Sequence, residues 1–320
     1  MMIPSQDTIK TLFTRAQSVL LASHIRPDGD AVGSLLGLGN ALSVSGKKVF
    51  MALGDGLPSN FHYLHGAHLV KRSVPKDVEF DLTISLDISD MDRSGGIFGN
   101  REIILNIDHH ITNTLFARYN LNDPESVATC ALIAENLEGW GLSMTAETAS
   151  LLLTGIITDT IGFRTSNMSS KAMRIASDLI DHGADLPSIY QQALTNKSFD
   201  QLIYWGYALK KLQRNDRLAW TTLTLDDRKV AGYNGNDDAD LNSILSSIIE
   251  CDITILFVEQ NNGHVKVSWR GKSNFNVSNL ALSLGGGGHP AASGADIEGS
   301  LEEVQFTVIN KTLELMKENQ

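Results

Sequence analysis

Residues 101–110 read Arg-Glu-Ile-Ile-Leu-Asn-Ile-Asp-His-His, an apolar run closed by an acid and two adjacent imidazoles. A short continuous apolar run in a mixed sequence reads as a strand buried on both faces, the kind that parallel sheets contain. Asp108, His109 and His110 then fall at its carboxyl end, where open α/β sheets place their ligands. Two histidines do not make a metal site by themselves, and in isolation the triplet reads equally as a loop with two solvated imidazoles. What decides the matter is whether other segments deliver further acids and imidazoles to the ends of core elements.

Several do. Residues 18–23, "SVLLAS", read as the first buried strand and deliver His24. In the following "HIRPDGDAVGSLLGLGNALSVSG", Pro27 and Gly29 force a tight loop, and Asp30 caps or opens a helix ending near Gly46. His24, Asp28 and Asp30 thus crowd one strand-to-helix turn, although "PDGD" alone is also an ordinary turn with an acidic helix start. "KKVFMAL" reads as a second strand, and "FDLTISLD" as another that ends on Asp87, an acid that could equally cap "DISDMDR". Arg93 either lies in solvent or braces that loop. "TAETASLLLTGIITDTIGFR" places Ala146, Ala149, Leu152, Leu153, Ile156 and Ile157 on one helical face, so a core helix is expected there. Asp159 falls at its carboxyl end, where an acid opposes the helix dipole unless a cation compensates it. His62, His65 and His68 interleave with Tyr63, Leu64 and Leu69 and read as surface or partly packed residues. His182, before a glycine stop, reads as a helix-end histidine. These four stay outside the expected site.

The chain has 320 residues, which favours two domains. We expect a metal-binding domain over 1–195, a helical linker over 196–216 ending the run "SFDQLIYWGYALKKLQRN", and a smaller α/β domain over 217–320. Within the second domain "LGGGGHPAASGA" stands out. Consecutive glycines from Gly285 to Gly288 carry an entropic cost, and an anion nest of backbone N–H groups, with His289 as a further donor, explains them better than a plain loop. Arg270, closing "KVSWR", is either a surface strand residue or a fork aimed at phosphate oxygens. The run is neither a dinucleotide GxGxxG arrangement nor a P-loop, since no GK[ST] follows.

The 20% of charged and 42% of hydrophobic residues describe an ordinary globular protein. Cys130 and Cys251 lie far apart and form no CxxC pair, so a reduced, cytoplasmic chain without zinc–thiolate chemistry is expected. No signal-peptide pattern and no long apolar run is seen, so no membrane association is expected. A net charge of -11 argues against long duplex nucleic acid, which needs a broad basic footprint, but not against a short anionic ligand held by local cations and metals. Oxygen-rich ligands with two imidazoles suit Mn or Mg-type ions, and His24, Asp28, Asp30, Asp87, His109 and Asp159 suffice for a metal pair that shares one carboxylate.

The segments "SHIRPDGDAVGS", "DISDMDR", "DHHITN", "GIITDTIGFR" and "GGGGHPAASGA" together resemble the motifs of the DHH phosphoesterases, the RecJ-like superfamily, in the family's order and over nearly the whole chain. The layout is most similar to small stand-alone members that act as oligoribonuclease (nanoRNase) and 3'-phosphoadenosine 5'-phosphate phosphatase, or that degrade linear diadenylate. One departure is visible: members often carry Gly two residues after the motif-four Asp, where this chain has Ile161 followed by Gly162. The resemblance implies a parallel sheet flanked by helices, a second α/β domain, and an active site in the cleft between domains. It also implies that His24, Asp28 and Asp87 bind one Mn ion (Mg or Co as substitutes), with Asp30, Asp87, His109 and Asp159 binding a second. His110 would face the phosphate, Asp108 would orient it, and Arg270, Gly286, Gly287, Gly288 and His289 would hold substrate phosphate. The expected partners are short single-stranded oligonucleotides or small nucleotides, with pairing of two copies left open. Cyclic di-AMP or linear diadenylate are alternative substrates. Inorganic pyrophosphatases share the DHH motifs but not the "GGGGH" run, and a catalytically silent nucleotide-binding module is the reading from another class.

Overall fold

A computed structural model describes residues 2–235, 237–272 and 274–318. Two compact units divide the chain, Met1–Asn196 and Lys197–Gln320.

In the first unit, helix α1 (Gln6–Arg15) precedes strand β1 (Ser18–Ala22), helix α2 (Gly29–Val44) and strand β2 (Lys48–Ala52). Strands β3 (Leu82–Leu86), β4 (Leu105–Asp108) and β5 (Tyr119–Asn122) follow, then helices α3 (Thr129–Asn136), α4 (Ala146–Asp159), α5 (Ser170–Asp181) and α6 (Leu186–Tyr190). The strands form a five-stranded sheet in the order β2-β1-β3-β4-β5, and every pairing is parallel. The apolar runs explain this: β3 and β4 are buried at every position, as sheets covered on both faces require. Because the order reverses between β1 and β3, their carboxyl ends open a crevice into which His24 and Asp87 are delivered. The expected strand before Asp108 is shorter than its apolar run, with Ile103 and Ile104 preceding it, and β5 had no distinct sequence signal.

Helix α2 is buried almost all round because it lies against α4 at close range. A Cβ at Gly33 would meet the Leu151 carbonyl at 2.8 Å, and one at Gly155 would meet Cys130 Sγ at 2.2 Å and Asp30 Oδ1 at 2.9 Å. Glycine at these positions therefore sets how closely the two helices that carry Asp30 and Asp159 approach.

The second unit begins with helix α7 (Phe199–Lys210), strands β6 (Gln213–Asn215) and β7 (Leu218–Leu223), and helices α8 (Leu225–Ala231) and α9 (Leu241–Leu245). Strands β8 (Ile253–Glu259) and β9 (His264–Gly271), helix α10 (Val277–Ser283), strands β10 (Gly287–His289) and β11 (Ala292–Glu298), and helix α11 (Leu301–Glu318) complete it. Its six-stranded sheet runs β10-β11-β9-β8-β7-β6 and is antiparallel except for β7 with β8. The segment expected as a linker differs from that expectation. Ser198 caps α7 with a capping box, and Tyr204 and Ala208 are buried with Leu223, Leu256 and Val258, so the helix packs into this unit's own core. The glycine run is a hairpin arm: Gly287–His289 pairs with Ala292–Gly294, and a Cβ at Gly286 would strike the Gly294 carbonyl at 2.1 Å. Of its glycines, Gly285 (φ 79°) and Gly288 (φ 139°) hold the conformations that disfavour other residues.

Candidate metal centre

Six side chains from three strand ends and two helix ends meet in the first unit. His24 lies just beyond β1, 1% exposed, with Nδ1 bonded to the Ile25 carbonyl at 2.8 Å. That bond makes Nδ1 the protonated nitrogen, so the Nε2 lone pair points inward. There it lies 3.4 Å from Asp87 Oδ2 and 3.9 Å from Asp28 Oδ1, buried and without a hydrogen-bond partner. Asp28 is the N-cap of α2 and accepts from the Asp30 and Ala31 amides at 3.1 and 3.0 Å. Asp87 follows β3 in a left-handed conformation, φ 60°, and its carboxylate is 1% exposed.

His109 repeats the pattern. Its Nδ1 is held by the Ser126 carbonyl at 3.2 Å, and its Nε2 lies 3.8 Å from Asp30 Oδ2, 3.8 Å from Asp87 Oδ1 and 3.7 Å from Asp159 Oδ2. His110 instead gives Nδ1 to Asp108 Oδ1 at 2.7 Å, which leaves its Nε2 free. Asp108 is fully buried and also accepts from the Asn113 side-chain amide. The two imidazoles sit 4.7 Å apart, ring centre to ring centre.

The electrostatics show how crowded these charges are. Burial pushes Asp87 up, but His24, His110 and His109 outweigh it and hold the carboxyl down at about 2. Burial raises Asp30 well above the usual carboxylate range, with Asp87 and Asp159 adding repulsion. Asp159 is pushed up to about 6, chiefly by burial. His24 and His109 are each lowered by burial but raised overall by the carboxylates they face. For His110 the hydrogen bond it donates to Asp108 is the leading cause of a raised value. Carboxylates that repel one another around inward-facing imidazole lone pairs are what a divalent cation would neutralise. Ligand atoms of His24, Asp28 and Asp87 lie within 4.8 Å of one another, as do those of Asp30, His109 and Asp159, and those of Asp87, His109 and His110. The residues fit a metal, and Asp87 and His109 each belong to more than one of these groups.

Sequence reasoning missed Thr129 and Cys130. Their amides donate to Asp30 Oδ2 at 2.6 Å and Oδ1 at 2.9 Å, and the Thr129 hydroxyl donates to Asp87 Oδ1 at 2.9 Å. The first turn of α3 thereby fixes both buried carboxylates. The expected substrate residues lie in the second unit. Arg270 is half-buried on β9, paired in register with Thr254 on β8 and with Ala292 on β11, which in turn pairs with His289 on β10. Residues opposite one another across a sheet share a face, so Thr254, Arg270, Ala292 and His289 form one row. Burial lowers Arg270, and its guanidinium donates to the Trp269 carbonyl at 3.0 Å.

Comparison with known proteins agrees with this geometry. Residues 18–156 match the DHH family, N-terminal domain, and residues 227–317 match the DHHA1 domain. A bifunctional oligoribonuclease and PAP phosphatase, NrnA of Thermus thermophilus, is 30% identical over 282 residues, covering 88% of this chain and 84% of that protein. The crystal structure of an exopolyphosphatase-related protein from Bacteroides fragilis superposes with a TM-score of 0.88 at 27% identity, covering 97% of this chain and 95% of that one. RecJ in complex with Mn2+ from Thermus thermophilus shares the fold at a TM-score of 0.51 and 12% identity, covering 97% of this chain and 54% of that one. Fold, acid–imidazole cluster and relatives define a hydrolase that acts on phosphate esters. The chain belongs to the DHH family.

Proposed function

We propose that the protein is a Mn-dependent phosphoesterase that cleaves short oligonucleotides to mononucleotides and removes the 3'-phosphate of phosphoadenosine phosphate. The observation that carries this reading is the buried Asp87 carboxylate, with Oδ2 toward His24 at 3.4 Å and Oδ1 toward His109 at 3.8 Å. One carboxylate facing two imidazoles with free Nε2 atoms supports two ion positions that share it. His24, Asp28 and Asp87 would hold one ion, and Asp30, Asp87, His109 and Asp159 the other. Two such ions, when bound, supply a nucleophile at neutral pH and neutralise charge developing on phosphorus. The NrnA relative gives the substrate class its support.

The chain's own groups do the rest. Asp108 holds His110 through Nδ1 and favours its charged form, so His110 Nε2–H donates to a phosphate oxygen or to the leaving oxygen. Asn113 holds Asp108 from the other side. Thr129 and Cys130 fix Asp30 and Asp87, so the carboxylates need not reorganise when ions bind. Arg270, the Gly286, Gly287 and Gly288 backbone, and His289 are proposed to bind substrate phosphate, with Arg270 as the charge.

The test is a time course with Mn on RNA and DNA dinucleotides labelled at either end, phosphoadenosine phosphate, linear diadenylate and cyclic di-AMP. Mononucleotide from the RNA dinucleotide and phosphate from phosphoadenosine phosphate are expected. Turnover confined to cyclic di-AMP would replace this reading with a cyclic-dinucleotide phosphodiesterase, and binding without turnover would mark a silent module. Arg270→Ala is expected to raise KM by about tenfold or more with kcat little changed; an unchanged KM would remove Arg270 from the phosphate site.

A further inference from the structure

In the second unit one acid stands near Arg270 without pairing with it. Arg270 opposes Thr254 in register, and side chains alternate along a strand, so both lie on the face of the sheet that carries Leu256 and Val258. The loop between α8 and α9 packs over that face, with Ala239 buried among Leu241, Leu245, Leu256 and Val258. This brings its neighbour Asp238 to the side of Arg270. Burial lowers Arg270, and the charge of Asp238 acts against that lowering. Among the described residues the guanidinium nevertheless makes no ion pair, and it donates to the Trp269 carbonyl instead. Beyond Arg270 the row continues through half-buried Ala292 to exposed His289, so the face is open to solvent on that side.

The Asp238 carboxylate is held from within its own loop. Oδ2 accepts from the Asn242 side-chain amide, and Oδ1 accepts from the Asp240 amide at 3.3 Å. Asn242 is only 3% exposed, so the core fixes this anchor. The turn between them keeps Ala239 and Asp240 in left-handed conformations, φ 53° and 63°, a strain of the kind that ligand clamps carry. A carboxylate has lone pairs beyond those two bonds, so half-buried Asp238 keeps acceptor capacity.

A fixed carboxylate beside a phosphate-binding guanidinium disfavours phosphate alone, because like charges repel. It becomes favourable when the ligand carries a hydroxyl donor next to its phosphate. In a ribonucleotide that donor is the 2'-hydroxyl, which a deoxyribonucleotide lacks. We propose that Asp238 accepts a hydrogen bond from the ribose 2'-hydroxyl next to the phosphate held by Arg270, and so makes the second unit select RNA over DNA. The selection rests on the reading that Arg270 holds phosphate, and Asn242 is the positioning residue for Asp238.

Calorimetry on the full chain in chelator, with adenine ribo- and deoxyribodinucleotides as probes, tests this. None of the residues involved is a candidate metal ligand, so binding is read apart from turnover. The wild type is expected to bind the ribodinucleotide about tenfold or more tighter, as a hydrogen bond to a charged group provides. Asp238→Ala is expected to lose that preference by weakening the ribo form alone, with an unchanged circular dichroism spectrum. Asp238→Asn, which keeps an acceptor oxygen, is expected to lose part of it, and Arg270→Ala to weaken both forms alike. A wild type that binds the two forms equally, or neither of them, overturns the proposal. So does an Asp238→Ala that weakens both forms equally, a result that leaves the role of Arg270 standing. Unchanged affinities in Arg270→Ala would instead strike the phosphate reading, and the sugar selection with it.

Discussion

Asp87 occupies a left-handed backbone conformation, φ 60°, that few residues other than glycine, asparagine and aspartate tolerate. Its amide donates to the Ile107 carbonyl at 2.9 Å while its side chain turns toward three histidines, so backbone and carboxylate are constrained together. A second such residue lies beside Asp159. Ile161 has φ 49° and is followed by Gly162 and Phe163 at 68° and 66°, so a β-branched side chain stands in a conformation costing roughly 1–2 kcal/mol. Ile161→Gly is therefore expected to stabilise the protein by about 1 kcal/mol in urea unfolding, less whatever the unfolded chain gains in freedom. A loss of stability would show that contacts of the half-exposed isoleucine outweigh the backbone strain.

At the scale of elements, the site depends on α3 beginning where α2 supplies its cap. Ala128, the N-cap of α3, offers no side-chain bond, and Asp30 of α2 accepts from the first two amides in its place, at positions 99 and 100 residues apart. This is why the motif acids could be read from the sequence while Thr129 and Cys130 could not. A capping box is a local pattern, whereas a cap supplied by a distant carboxylate leaves no mark at the helix it caps. The single strands and their terminal acids were legible because buried parallel strands are apolar throughout. The short β5 and the strand β11, with its small and polar residues, carried no such pattern. Gly155 is the point where this arrangement is most easily broken, since a Cβ there overlaps Cys130 Sγ and crowds Asp30 Oδ1. Gly155→Ala is expected to cost about 1–3 kcal/mol and to weaken metal binding through a displaced Asp30. Chemical denaturation with and without Mn would read both effects, and a variant with wild-type stability and metal affinity would contradict the packing account.

Over the whole molecule, the reversal of strand order between β1 and β3 and the shared Asp87 make a site that carries more protons when folded than when unfolded. Asp159 is raised to about 6, and His24, His109 and His110 are raised as well. For raised groups the stabilising contribution is complete below the unfolded value and is lost as pH rises through the folded one. Asp87, lowered to about 2, acts in the opposite sense but only in stronger acid. In chelator, the melting temperature is therefore expected to fall as pH rises from about 4 through about 6, where Asp159 loses its proton, and to go on falling as the histidines lose theirs, and Mn is expected to reverse that fall because it binds the deprotonated site. A metal-free protein that gains stability over the same range would contradict this. The two-part organisation and the α/β class were legible from the alternation of strands and helices. The hairpin role of the glycine run was not, because its close approach to Gly294 depends on pairing across a turn. The central claim is that one buried carboxylate serves two ions, and a calorimetric titration with Mn tests it most directly. Two ions per wild-type chain are expected, with Asp87→Asn losing both while keeping its fold; one ion per chain, or two ions undisturbed in Asp87→Asn, would contradict it.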